Sequence, residues 1–315
     1  MDVFLANDVV VTRQMPFPAA DHWQCWIGEV RVEQLQKAGC YILAKIPTNT
    51  PGILDGENEI LMRRVCQVYD GLLIVEVPFC ATRPFLLTGA NVSGDISIRQ
   101  ISDLKMPVRC AFNESNILRK FDEADLRKAS ALGDALAALV VSPDHRRLKL
   151  ALSAFLGGIH DRRFDERLHQ FCRCIDGFIC SRKGKGEADF VERSALFIDT
   201  GQEAFIRETC RMRNAVEHLR LAEDEAADCV DLRSQRLRVI ERCVQVEEIA
   251  RYCLQRVLLS SDLIALCKDE ASLDQFWRCS EDDVRQAWGT PLDFNNCLAT
   301  LIDSRYVTDD DLDLN

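Results

Sequence analysis

The sequence predicts an α+β protein in which a β-rich N-terminal domain, residues 1–112, precedes an all-α helical bundle. Up to about residue 110, runs rich in Val, Ile, Leu and Phe alternate with clusters of Pro and Gly, the punctuation of strands and turns. Near Asn113 Gly and Pro become scarce and the apolar spacing changes to that of a helix. The chain, 315 residues with 47% hydrophobic and 28% charged residues, can bury one large core or two ordinary ones, which excludes a disordered or collagen-like protein.

Strand-like segments come first: VFLANDVVVT, WIGEVRVEQL, CYILAKI, GLLIVEVPF and DISIRQI. They are separated by Pro16, Pro18, the Pro47–Gly52 turn cluster, Pro84 and the stretch from Gly89 to Gly94. ILMRRVCQVYD at 60–70 fits either a short helix or another strand. Asn113 or Ser115 is a candidate cap for the helical domain, set at residues 113–262. Helices are expected from Leu118 to Val141, ending before Pro143, and from His145 to Ile159. Phe164, Leu168, Phe171, Cys172, Ile175 and Ile179 recur at the spacing of one helix face. SRKGKGEAD at 181–189 reads as a solvated loop, since it lacks the upstream glycine and the Ser/Thr of a P-loop. Further helices are expected over 190–198, 202–222, 233–259 and 271–288. Residues 263–315 form a helical extension with a solvated, frayed acidic tail.

The net charge of −11 is uneven. Residues 1–110 hold 10 basic against 12 acidic side chains, residues 111–260 hold 25 of each, and residues 261–315 hold 4 against 13. The Arg-dense middle leaves nucleic acid open as a partner, although no long basic run advertises it. The stretch from Pro84 to Gly94 is too short to span a membrane, and MDVFLANDVV carries acids where a secretory signal carries positive charge. A cytoplasmic protein without membrane partners is expected. The fifteen cysteines are scattered, odd in number and never spaced C-x-x-C, which points to free thiols. His22 with Cys25 lacks a second ligand pair, and Cys172 and Cys174 point to different sides of a helix. No metal and no cofactor is expected.

Neither G-x-S-x-G, H-E-x-x-H nor a strand-borne G-x-G-x-x-G occurs. Five histidines are the candidates for acid–base work near neutral pH: His22, His145, His160, His169 and His218. His218 has the most suggestive neighbours, in IRETCRMRNAVEHLRL, where Arg213 and Asn214 precede it. Arg163 and His169 form a second Arg–His pair at a similar spacing, without the Asn. His169 is expected to cap or pack on its helix, with a second catalytic base as the rival role. Trp23, Trp26, Phe79 and Phe85 are expected in the N-terminal core.

Arg213, Asn214 and His218 resemble the R-x4-6-H signature of the HEPN superfamily, helical domains many of which are metal-independent ribonucleases. RLHQFCRCIDGFI at 167–179 is similar to the earlier helix of the Apea-like HEPN branch. The resemblance covers about residues 115–260. It implies a HEPN-like bundle, an RNA substrate, a homodimer with two copies of the motif around one cleft, and a bacterial antiviral or toxin role. It also implies Arg213, Asn214 and His218 as catalytic residues, or else a non-catalytic dimerisation or nucleotide-binding module. By position, the N-terminal domain is a candidate sensor or target-binding unit for a regulatory ligand or protein. The chemistry is independent of the resemblance. Cleaving RNA without metal needs a group to move the 2′-OH or 5′-oxygen proton and donors for the phosphate, and imidazole and guanidinium fit those tasks. On an ideal helix an offset of five residues turns Arg213 and His218 about 140° apart. A two-fold copy would close that gap.

Overall fold

The computed structural model describes residues 2–19, 21–48, 53–78, 80, 82–92, 95–108, 121–199, 201–226, 228–295 and 303–312. Spatial proximity divides the chain into two units, Met1–Pro107 with Lys120–Ala137 and Val108–Arg119 with Ala138–Asn315. The architecture is α+β, with small antiparallel sheets in the N-terminal unit followed by helices. The candidate caps Asn113 and Ser115 lie outside the described residues.

In the first unit, β1 (Val3–Phe4), β2 (Val9–Thr12) and β3 (Tyr41–Ala44) form an antiparallel sheet in that order. β4 (Phe85–Val92) and β5 (Asp95–Asp103) form a hairpin whose register shifts between Thr88 and Gly89. Two segments expected as strands are helices. WIGEVRVEQL lies in α1 (Trp23–Ile27) and α2 (Glu29–Lys37), separated by Gly28 at φ 81°, where a side chain would be strained. Val32 and Leu35, three residues apart, turn to one core with Trp23 and Ile98, and the Trp23 indole donates to the Ile96 carbonyl at 2.9 Å. GLLIVEVPF begins as the buried end of α3 (Asp55–Val75). A short, continuously apolar run reads alike as a buried strand or a buried helix, which is why periodicity misassigned it. Trp26 is 68% exposed, so it is no core residue, and Phe79 lies outside the described residues.

The first part of α4 (Glu123–Val141) groups with this N-terminal unit, although the sequence placed it with the helical domain. Two glycines show why: a Cβ on Gly71 would lie 1.9 Å from the Ala129 carbonyl, and one on Gly133 would lie 2.2 Å from that of Gln67. α3 and α4 cross backbone to backbone there. Beside this crossing, on α3, burial pushes the Asp70 carboxyl up to about 6. The folded state therefore holds this proton more tightly than the unfolded chain does. The resulting stability is present below pH ~4 and is lost as pH rises through about 6, at most about 3 kcal/mol. Urea unfolding of Asp70→Asn at pH 4.5 and 7.5 should show the variant gaining on wild type at the higher pH. Equal differences at both would show an Asp70 that titrates normally.

The second unit comprises α5 (Arg146–His160), α6 (Phe164–Ile179), α7 (Gly186–Ser194), α8 (Glu203–Glu217), α9 (Leu232–Leu258), α10 (Ser261–Leu266), α11 (Glu270–Phe276) and α12 (Glu281–Trp288). α6 packs on α5, α7, α8 and α9, and the predicted stripe of Leu168, Phe171, Cys172, Ile175 and Ile179 is buried. The expected loop 181–189 is shorter than predicted, because Gly186–Asp189 already form the first turn of α7, tied by Asp189 to Arg182. The single helix expected over 271–288 is broken into short ones by new N-caps, with Asp269 accepting from the Ser272 amide and Ser280 from that of Asp283.

The last four carbonyls of α6 would be orphaned in an isolated helix. Arg147 donates to those of Asp176 and Gly177, Trp277 to Phe178, and Arg193 to Ile179. Two of these donors are cations, favoured at a helix C-terminus. At its start, α6 is tied to α9 by a buried cluster in which Arg167 meets Glu247 at 2.6 Å and Arg251 meets the same carboxylate at 2.5 Å. The acidic tail is not frayed over its described part. Val307 and Leu312 are buried against Ile240 and Val244 of α9, and Arg233 holds Asp309.

Candidate active site

Arg213 lies on the face of α8 that meets α6. Its Nη1 donates to Asp176 Oδ2 at 2.5 Å, while Nε and Nη2 share Asn214 Oδ1 at 3.3 and 3.0 Å. The guanidinium carbon sits 5.0 Å from the centroid of Phe190, a cation–π contact. Asp176 and Asn214 thus hold the fork in one orientation. Burial raises the Asp176 carboxyl, while the nearby Arg213 and Arg147 guanidiniums oppose that rise. Cys210 contacts Arg213 Nη2 at 3.8 Å, but burial pushes this thiol up to about 11, so at neutral pH it is no thiolate nucleophile.

Arg213 and Asp176 border a cleft of about 340 Å³ between α5, α6 and α8. Arg147, Arg173 and Arg213 supply positive charge, Asp176 and Glu217 negative charge, and Leu150, Ala151 and Ala154 an apolar wall. Arg147 already serves the α6 carbonyls and stands 3.6 Å from Glu270. Arg173, by contrast, projects exposed from the middle of α6. The arrangement can take an anion against the guanidiniums with an apolar group beside it.

His218 stands where α8 ends. It is the C-cap residue, exposed, while the chain turns back through Leu219 at φ 57°. The Leu219 amide bonds to the Val216 carbonyl at 3.0 Å and the Arg220 amide to Ala215 at 2.8 Å, the paired bonds of a Schellman ending. Glycine is the usual residue at that left-handed position, and a leucine 97% exposed is strained there without packing in return. Leu219→Gly should therefore raise stability by about 0.5–1 kcal/mol. A lower thermal midpoint would show that the leucine is held by contacts of its own.

The sequence-predicted residues are thus separated as the five-residue offset implies. Arg213 and Asn214 lie at the α6 contact, and His218 lies beyond the last turn of α8, outside the lining of the cleft. No family model, no curated protein and no solved structure matches the chain. The reading of the site therefore rests on its own residues. Of the second Arg–His pair, Arg163 is the exposed N-cap of α6, bonded to Asp165 at 2.6 Å, whereas His169 is half-buried on the same helix. Asp176, Arg147, Arg173 and Glu217 were missed. Their signal was weak: Arg173 and Asp176 are three apart on a helix, but nothing in the string says that this face meets α8.

Proposed function

We propose that the chain is a metal-independent endoribonuclease of HEPN type, cleaving RNA by 2′-OH attack to leave a 2′,3′-cyclic phosphate, in a bacterial defence or toxin role. The observation that carries it is the fixed Arg213 fork beside a cleft, with the exposed His218 imidazole five residues on, at the end of the same helix. One N–H of Nη1 and the weak sulfur contact of Nη2 remain for a phosphate oxygen. Asn214 orients the fork, and the His218 imidazole moves the proton of the 2′-OH or of the leaving 5′-oxygen.

A homodimer belongs to this reading, with His218 of one copy facing Arg213 of the other across a two-fold axis. Leu219 and Leu221, just past the end of α8, and Val230 and Leu232, at the start of α9, are exposed apolar side chains that a second copy would cover. A non-catalytic dimerisation or nucleotide-binding module is the second reading. It is favoured by the bond of Arg213 to Asp176, which engages the fork within the chain itself. Incubation of the purified protein with total RNA and a chelator, with product ends mapped, separates the two. Cyclic phosphate ends are expected, and intact RNA would leave the module.

A further inference from the structure

Along the Arg213 cleft α5 and α6 run antiparallel, since Arg147 near the start of α5 donates to the Asp176 and Gly177 carbonyls near the end of α6. Gly177 lets the two helices close up: a Cβ there would lie 2.5 Å from that of Ala151. Gly177, Ala151 and Ala154 thus give the cleft a floor of small residues. From the Ala151–Gly177 contact, three residues on along α5 reaches Ala154 and four back along α6 reaches Arg173, each a path of about 5 Å in the same direction. Leu150 lies one residue the other way. Arg173 and Leu150 therefore flank the floor from different helices, about 7 Å apart along the axes. Both line the cleft and both are exposed, Leu150 at 59%. Of the three guanidiniums in the lining, Arg213 is engaged by Asp176 and Asn214, and Arg147 by the α6 carbonyls and Glu270. Arg173 makes no hydrogen bond or ion pair with any other described residue. Against these three cations the lining sets the carboxylates of Asp176 and Glu217, which leaves one positive charge for one phosphodiester to neutralise.

Resting on the nuclease reading above, we infer that Arg173 and Leu150 form the seat for one nucleotide of the RNA, the guanidinium binding its phosphodiester and the leucine its nucleoside. A guanidinium whose N–H groups are uncommitted presents a planar fork that fits two phosphate oxygens at once. Arg213, already held by Asp176 and Asn214, adds only the donor left on Nη1. Leu150 projects apolar surface into water, and a base or sugar laid on it removes that surface from solvent. The small floor between the two leaves room for the nucleotide to lie across it. Neither residue moves a proton. Arg173 and Leu150 set affinity, and the chemistry stays with the groups named above.

Binding by the full-length protein is read by fluorescence anisotropy with a labelled 2′-fluoro RNA oligonucleotide, which cannot be cleaved, between about 50 and 200 mM salt. Arg173→Gln should weaken binding about tenfold at the low end and flatten the salt dependence by about 0.7 in slope, the loss of one phosphate contact. Leu150→Ser should weaken it about fivefold with the slope unchanged, because it removes apolar contact and no charge. Both side chains are exposed, so thermal midpoints should stay in place. In cleavage assays the losses should fall on KM and not on kcat. Wild-type affinity and slope in Arg173→Gln, or wild-type affinity in Leu150→Ser, overturns the inference, and the nuclease reading survives if wild type still cleaves. Tighter binding of ATP than of the oligonucleotide also overturns it, by putting a polyphosphate in the cleft. If the variants behave as expected but wild type leaves RNA intact, the seat stands and the nuclease falls. If wild type neither binds nor cleaves RNA, both fall together.

Discussion

Arg213→Gln and His218→Ala should each lower RNA cleavage by about a hundredfold or more, the usual loss on removing one phosphate donor or one proton-transfer group. Their effects on stability should differ. His218 is exposed at the end of α8, so its removal should leave the thermal midpoint in place. Arg213 is only 11% exposed and neutralises Asp176, so its loss leaves a partly buried carboxyl without its cation. Glutamine can still reach Asn214 or Asp176 by hydrogen bonding, and the pair Arg213→Gln with Asp176→Asn should recover the stability but not the activity. Mixing the two inactive variants should restore part of the activity if a working site draws Arg213 from one copy and His218 from the other, since mixed dimers then carry one intact pair. A folded, fully active His218→Ala protein would end the nuclease reading.

What the string disclosed depended on how much of each element was written locally. The stripe on α6 was legible because its apolar residues repeat at the helical period over sixteen residues. The two N-terminal misreadings came from β-branched or continuously apolar stretches whose helicity is set by what they pack on, Trp23 and Ile98 for α2 and the glycine crossing for α3. The adjacency of Arg213 and Asn214, with His218 five residues on, was visible as spacing. Asp176, thirty-seven residues upstream of Arg213, joins the site only through the packing of α6 on α8, which no local pattern encodes. The acidic tail was misread for the same reason: Val307 and Leu312 are isolated apolar residues among aspartates until α9 supplies their partners.

Glu247→Gln should be among the most damaging single substitutions in the chain, costing about 3 kcal/mol, because it takes the shared carboxylate from Arg167 and Arg251 and leaves Glu248, 3.3 Å from Arg251 Nε, as the neighbouring acid. Arg167 is 0% exposed and Glu247 7%, and the one carboxylate serves both Arg167 and Arg251. Each cation also lies against a ring, Arg167 over Phe171 and Arg251 over Phe155, so neither can swing out to water without unpacking α5 and α6. Arg167 donates further to the Val108 and Asp161 carbonyls at 3.0 and 3.1 Å, pinning the turn between α5 and α6 to α9. This cluster braces the start of the helix whose later turns carry His169, Arg173 and Asp176. Replacing Arg167, Glu247 and Arg251 with Met, Leu and Met, together with Glu248→Gln because Glu248 pairs with Arg251, removes the charges together and should recover most of the loss, since apolar residues of similar volume often match a buried ion cluster. What it cannot recover is the hydrogen bonding to Val108 and Asp161. Urea unfolding of wild type, Glu247→Gln and the combined variant measures this, and a Glu247→Gln protein within about 1 kcal/mol of wild type would show water or a nearby acid taking over the charge.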